Sequence, residues 1–240
     1  MFFSIGFETT TPPTAVALLT ARADRQDNFS VLNNHVLIPA AIRHLLADSE
    51  ANLDGFIGPS HVSTIIGIAP YRVIARDYRK PVVITGFEPL DVLQAVLTLV
   101  TQINEDRADA ENQYTRAVTE QGNLKAQALV AQTFELRNDF EWRGLGLVPE
   151  SALAIRTPFA QWDAEKRFNL SAQPVADVKA CQCGQILRGH GKPTDCKMFG
   201  TACTPAEPLG ACMVSSEGAC AAYYQYARFN DAAAAGCVHQ

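Results

Sequence analysis

Along the first hundred residues, short apolar runs alternate with stretches in which apolar residues recur every three or four positions. The runs at 2–6, 29–33, 54–58 and 81–85 predict strands, and the intervening periodicity over 14–23, 39–47, 62–68 and 90–103 predicts helices. Strand and helix alternating in this way predict an α/β fold with a parallel sheet in Rossmann-like layers, since parallel neighbours need a helical crossover between them. From 112 to 170 the pattern is mixed: 112–118 reads as extended, 124–136 as helix and 141–146 as extended again. Trp142 is expected in the core, and Glu141 with Arg143 as an ion pair on one strand face. Beyond that the apolar periodicity gives way to cysteine and glycine. The predicted organisation is an α/β lobe over 1–111, a connecting segment over 112–170 and a small Cys-rich, cluster-binding domain over 171–240.

Composition narrows the function classes. The 240 residues are 48% hydrophobic and 19% charged, too apolar for a disordered chain, and the net charge of −5 offers no basic field for a phosphate backbone, so no nucleic-acid partner is expected. The longest apolar stretch, 92–100, lies between Asp91 and Glu105 and falls short of the roughly 20 residues that a membrane span needs. Residues 1–5 carry neither a basic start nor a small-residue cleavage site. A cytoplasmic chain is expected.

All seven cysteines lie between Cys181 and Cys237. In a reducing compartment, clustered thiols read as metal ligands or redox groups before disulfides. After Cys181-Gln182-Cys183, twelve residues separate Cys183 from Cys196, six separate Cys196 from Cys203, and sixteen separate Cys203 from Cys220. No Cys-x2-Cys knuckle of the kind usual at zinc is present. Gly184, Gly200, Gly210 and Gly218 place the thiols on turns whose amides can face sulfur. Spacing leaves three readings open: a [4Fe-4S] cluster, a zinc site and free buried thiols. His190 is a loop histidine available as a further ligand or simply solvated.

A second concentration of chemistry lies at strand ends. Gly6-Phe7-Glu8 and Gly86-Phe87-Glu88 repeat one tripeptide between a predicted strand and a predicted helix, and Gly58-Pro59-Ser60-His61 brings a histidine to an equivalent loop. Such loops line the carboxyl edge of a parallel sheet, where open α/β folds bind ligands. The alternative for both glutamates is to complement a helix dipole, and for His61 to hydrogen-bond to its own loop.

These motifs, with Thr9-Thr10-Thr11-Pro12-Pro13-Thr14-Ala15, Glu141-Trp142-Arg143-Gly144-Leu145-Gly146 and Met213-Val214-Ser215-Ser216-Glu217-Gly218-Ala219-Cys220, resemble in order the pattern of the HypD family of nickel–iron hydrogenase maturation proteins. The resemblance implies two α/β lobes about a cleft and a C-terminal domain holding a [4Fe-4S] cluster on Cys183, Cys196, Cys203 and Cys220, with Cys181, Cys212 and Cys237 extra. Ser215 and Glu217 would then tune the cluster, and Glu8, Thr9, Thr10, His61 and Glu88 would line the cleft. The implied role is a scaffold on which an Fe(CN)2CO moiety is assembled with a HypC-type chaperone and a HypE-type cyanide donor, more assembly than turnover. Ser60 replaces the family's usual glycine. The family's N-terminal motifs, with the cysteine that holds the iron, have no counterpart here. The chain therefore resembles the C-terminal two-thirds of the family and is expected to be a fragment, with 112–170 docking on the absent lobe. A stand-alone iron–sulfur redox protein and a zinc-stabilised binding module are the rival readings.

Overall fold

The computed structural model describes residues 1–170 and 176–227. These fall into two units. The first takes in Met1–Ala47, Asp54–Phe140 and the stretch from Val148 to residue 170; the second takes Asp48–Leu53, Glu141–Leu147 and the described residues from 176 onward.

In the first unit β1 (Phe2–Gly6), α1 (Thr11–Ala23), β2 (Val31–His35), α2 (Ile38–Ala47), β3 (Phe56–Gly58), α3 (Ser60–Ile66), α4 (Ala69–Tyr78), β4 (Val82–Ile84), α5 (Pro89–Asn104) and β5 (Ala110–Asn112) follow the alternation predicted from the sequence, α4 and β5 excepted. Pro12 and Pro13 in the first turn of α1, and Pro89 at the start of α5, occupy positions whose amides have no intrahelical acceptor, so proline costs nothing there. In α4 the buried Tyr71, Ile74 and Ala75 form a narrow apolar stripe amid charges, and the helix ends on Arg79 at φ 53°.

The parallel pairing is present, but the four predicted strands do not make one sheet. β1 pairs with β2, Phe2 opposite Val31 through Gly6 opposite His35. β3, β4 and β5 form a separate three-stranded parallel sheet. The far edge of β2 is taken by another strand. There Val36 bridges Ala152, and the Asn33 amide donates to the Leu153 carbonyl at 2.6 Å, so β9 (Leu153–Ile155) sits beside β2. β9 in turn pairs antiparallel with β6 (Phe134–Leu136), which follows α6 (Leu124–Thr133) without a break. The continuous helix expected over 124–136 thus stops at Thr133, whose buried hydroxyl turns back to the Leu129 carbonyl at 3.1 Å. Likewise 112–118 is extended only at its start and then turns.

Two apolar clusters hold this unit. Leu18, Val31, Phe134, Ile155, Phe159 and Trp162 pack between α1 and the β2–β9 strands, while Tyr71, Ile74, Val82, Ile84 and Val118 pack between α4 and the three-stranded sheet. Burying one such side chain contributes about 2 kcal/mol. In the hairpin of β7 (Asp139–Trp142) and β8 (Gly146–Pro149), Glu141–Leu147 count with the second unit and the chain then returns to the first, which α7 (Ala164–Arg167) closes. Trp142 is half-buried rather than core, and Arg143 pairs with Asp177 at 3.0 Å rather than with Glu141.

Among its described residues the second unit has only short α-helices, α8 (Cys183–Leu187), α9 (Ala211–Val214) and α10 (Ala219–Tyr226). Its core is Cys183, Cys203, Cys212, Met213, Cys220 and Ala221. No helix of the described residues is long and apolar enough to cross a membrane.

Candidate functional site

The second unit is organised around sulfur. Five of its six described cysteines, Cys183, Cys196, Cys203, Cys212 and Cys220, are buried, Cys181 is partly exposed, and all six are free thiols. Cys237 lies outside the described residues. Turns bring them together. Asp177 accepts the Gly144 amide at 2.8 Å and pairs with Arg143, fixing the 141–147 loop, whose Gly144, at φ 83°, lies against the Cys183 side chain. Arg188 pairs with Asp48 at 2.9 Å and donates to the Gly184 carbonyl, clamping α8. Gly210 is required by close approach: a Cβ there would overlap the sulfurs of Cys181 and Cys183.

The four cysteines that the resemblance assigns to a cluster, Cys183, Cys196, Cys203 and Cys220, together with Cys181, line one cavity walled by Ile186, Met198, Phe199, Leu209 and Met213. Cys212 stands beside it, and the Sγ atoms of Cys183, Cys212 and Cys220 lie within 4.8 Å of one another. Backbone amides point at sulfur: Cys212 N–H donates to Cys183 Sγ and Leu209 N–H to Cys203 Sγ, each at 3.4 Å. Sulfur contacts from Cys183 and Cys212 pull the Cys220 thiol down to about 4, and contacts with Cys183 first and Cys220 second push Cys212 up. Burial pushes Cys181 up to about 11; its sulfur lies 3.2 Å from that of Cys183. A dry wall, converging thiols and amide donors to sulfur form a donor set suited to a soft metal or an iron–sulfur cluster. His190, Ser215 and Glu217 are exposed.

In the first unit the five loop candidates fall into three surroundings. Glu8 is buried, 6% exposed; its Oε1 accepts the Ile38 amide at the start of α2 at 3.0 Å, and its Oε2 has no hydrogen-bond partner. Burial raises its carboxyl to about 7, against the pull of its own amide and that of Ile38. Thr10, exposed, donates to the Phe7 carbonyl at 2.9 Å, and with Thr9 it borders a cavity of about 530 Å³ that also touches His35. His61 is exposed and its ring lies 4.3 Å from that of Phe87. Glu88, also exposed, stands at the N-cap of α5 and pairs with Arg116 at 3.2 Å. His61 is not in a loop as expected but in the first turn of α3, and Ser60 in the same turn donates to the Thr85 carbonyl, tying this turn to the segment that leads to Glu88.

His35 is a residue the periodicity does not flag. It is buried in β2, its Nε2 lies 2.9 Å from Thr14 Oγ1, and burial lowers its pKa. The polar run Asn33-Asn34-His35 within a strand is the only signal of it in the sequence.

Comparison with known proteins bears on the family of the chain. The HypD family model, described as the hydrogenase formation hypA family, matches residues 1–227. Among curated relatives, the hydrogenase maturation factor HypD of Cupriavidus necator is 60% identical over 237 residues, which cover 96% of this chain and 62% of the relative. The hydrogenase expression/formation protein HupD of Azotobacter chroococcum is 59% identical over 238 residues, 97% of this chain and 63% of the relative. The hydrogenase maturation factor HypD of Escherichia coli is 44% identical over 226 residues, 94% and 61%. The chain thus spans slightly over three-fifths of the length of these relatives.

Proposed function

The chain belongs to the HypD family, and on that premise we propose that it serves hydrogenase maturation as part of a cytoplasmic metallocentre-assembly scaffold whose second unit carries a [4Fe-4S] cluster. The observation that carries this reading is the single cavity lined by Cys183, Cys196, Cys203 and Cys220. These four would hold the cluster, with Cys212 behind them as an amide and thiol donor toward Cys183 and Cys220. The cluster, when bound, supplies one-electron chemistry. The protein's part is to keep four thiolates dry and to aim the amides of Cys212 and Leu209 at sulfur, which shifts a cluster's potential.

In this reading the cargo is an iron carrying cyanide and carbon monoxide, handed among this scaffold, a HypC-type chaperone and a HypE-type cyanide donor. The positions of the first unit that are open to such a cargo are His61, in the first turn of α3, and Glu88, at the N-cap of α5, linked through Ser60. Glu8, Thr9 and Thr10 shape the neighbouring loop, Glu8 and Thr10 by bonding to backbone.

The test is iron and sulfide analysis with electron paramagnetic resonance on the anaerobically purified chain, beside Cys220→Ala and Cys196→Ala. About four irons and four sulfides per chain, lost in both variants, is the expected result. Zinc in place of iron, or full cluster content in both variants, would sink the ligand assignment. Co-purification with a HypC-type chaperone, lost in His61→Ala, tests the scaffold role separately from the cluster.

A further inference from the structure

A surface helix ordinarily turns its apolar stripe to the core and its polar residues to water. In α5 the polarity is reversed. The side packed inward carries Asp91, Ala95 and Gln102, all buried, with Asp91 held by Arg116 and Gln102 held by the Glu111 side chain and the Asp109 amide. The leucines face out: Leu90, Leu93 and Leu97 are 64%, 66% and 67% exposed, and Val96, Val100 and Ile103 flank them half-exposed. No charged residue interrupts the chain between Asp91 and Glu105. Single exposed apolar side chains are ordinary, but a contiguous stripe of them along one helix marks an interaction surface.

Spacing and charge say what covers it. Leu90, Leu93, Leu97 and Val100 follow one another at steps of three, four and three, the alternation at which one helix packs along another. The ends of the stripe are acidic. Glu88 and Asp91 outnumber Arg116 at the N-terminal end, and Glu105, Asp106, Asp109 and Glu111 outnumber Arg79 and Arg107 at the C-terminal end. A helix with basic residues beyond both ends of its apolar seam is therefore complemented. A second copy of α5 is not, because acid-rich ends would meet in either orientation. The seam is also only about two heptads long, short of the three to four that a free-standing coiled coil sustains. The docked helix needs further anchorage, and Phe87 offers it: exposed just before α5, with its ring 4.3 Å from that of His61, it carries the apolar surface on to the first turn of α3.

We propose that the outward face of α5 is the docking surface for an amphipathic helix of a partner protein, one with leucine-type residues along its seam and lysine or arginine at both ends. The surface adds a contact to the scaffold reading and rests on neither the cluster nor the iron cargo.

The probe is a labelled synthetic helix of about three heptads, leucine at its seam positions and lysines at both ends, titrated by fluorescence anisotropy against the full 240-residue chain. One control peptide has the same composition with the leucines scrambled off the seam, and another has glutamates in place of the end lysines. The expected result is saturable binding at about 1–100 μM, at least about tenfold weaker for both controls, with the advantage over the glutamate peptide shrinking in high salt. Leu93→Glu and Leu97→Glu place a good helix former where the side chain already faces solvent, and each is expected to weaken binding about tenfold or more. Val16→Glu, at an exposed apolar position on α1, is expected to leave it unchanged. Thermal melts check that the variants fold, and should one of the α5 variants fail to, the other carries the test. Equal binding of either control peptide, no saturation by about 1 mM, or binding unchanged in the folded α5 variants would overturn the proposal. A dimer of the chain itself in sedimentation, lost in Leu93→Glu, would give the face to a second copy and overturn it too.

Discussion

The tripeptide Gly-Phe-Glu occurs at two strand ends of the same unit, and the two glutamates meet opposite fates. Glu8, after β1, is 6% exposed and bonds to the Ile38 amide. Glu88, after β4, has a side chain 74% exposed and pairs with Arg116 in solvent. In the first turn the glycine is held at φ 120° and the Thr10 side chain folds over it; in the second, Asp91 fills the place over Gly86, accepts the Glu88 amide at 3.3 Å and takes Arg116 as its ion partner. What separates the two turns is their cover. Around Glu8, α6, β6 and β9 close in, whereas the face of α5 beyond Glu88 keeps Leu90, Leu93 and Leu97 about two-thirds exposed. A strand-end carboxylate is thus a matter of tertiary context: one motif yields a buried, protonatable acid in one place and a solvated ion in another.

The largest contrast should come from charge reversal. Glu8→Lys would bury an ammonium beside an amide that also donates, leaving an uncompensated charge at about 3–5 kcal/mol. Glu88→Lys, in solvent, should cost about 1 kcal/mol or less, chiefly through an unfavourable charge at the start of α5. Urea denaturation of both variants measures the difference. Comparable losses would mean that the two turns are not differently covered.

Next is the pH dependence of stability. The Glu8 carboxyl is raised from 4.5 to about 7 by burial, so between those values the folded state holds a proton that the unfolded state has lost. Its contribution is complete below pH 4.5, declines as the pH rises, and is gone above about 7. The fall amounts to about 3 kcal/mol. Glu8→Gln should flatten that slope; an unaltered slope would show that Glu8 is ionised throughout. A smaller loss, about 1–3 kcal/mol, is expected for Gly6→Ala, because a side chain at φ 120° is strained and its Cβ would meet Thr10.

Much of this architecture could be read from periodicity, and the part that could not has a physical reason. Phe2–Gly6 is a strand over the residues predicted, and α1, α2, α3 and α5 lie within three residues of expectation at each end, because apolar spacing and proline placement are local properties. The seat of β9 beside β2 brings Asn33 to Leu153, 120 residues away, and no local pattern encodes that. β6 was absorbed into the preceding helix because 124–136 keeps a helical spacing through Phe134 and Leu136. α4 was hidden by Arg72, Arg76 and Asp77 around its narrow stripe. The convergence of the thiols was legible as composition. That Cys212 flanks Cys183 and Cys220, while the other assigned cysteines share a cavity with them, depends on turns at Gly144 and Gly210 that spacing does not reveal.

The smallest effect is also the sharpest discriminator between the two turns, because it has the opposite sign. At the Glu88 turn the titrating group is Asp91, held below the ordinary carboxylate range by Arg116, whose two terminal nitrogens lie 2.9 and 2.5 Å from its oxygens. A depressed carboxyl stabilises the fold above its unfolded value of 3.8 and loses that contribution as the pH falls through its folded value. Asp91→Asn keeps an acceptor for the Glu88 amide but gives up the charge. It should lower the thermal midpoint by about 2–4 °C at neutral pH and lose its deficit in acid. Glu8→Gln behaves the other way, differing from the parent in slope between pH 4.5 and 7 and not below. Thermal melts of the two variants across pH 3 to 8 therefore separate the turns by sign alone. If both gave slopes of the same sign, the repeated tripeptide would have to be regarded as one electrostatic environment occurring twice.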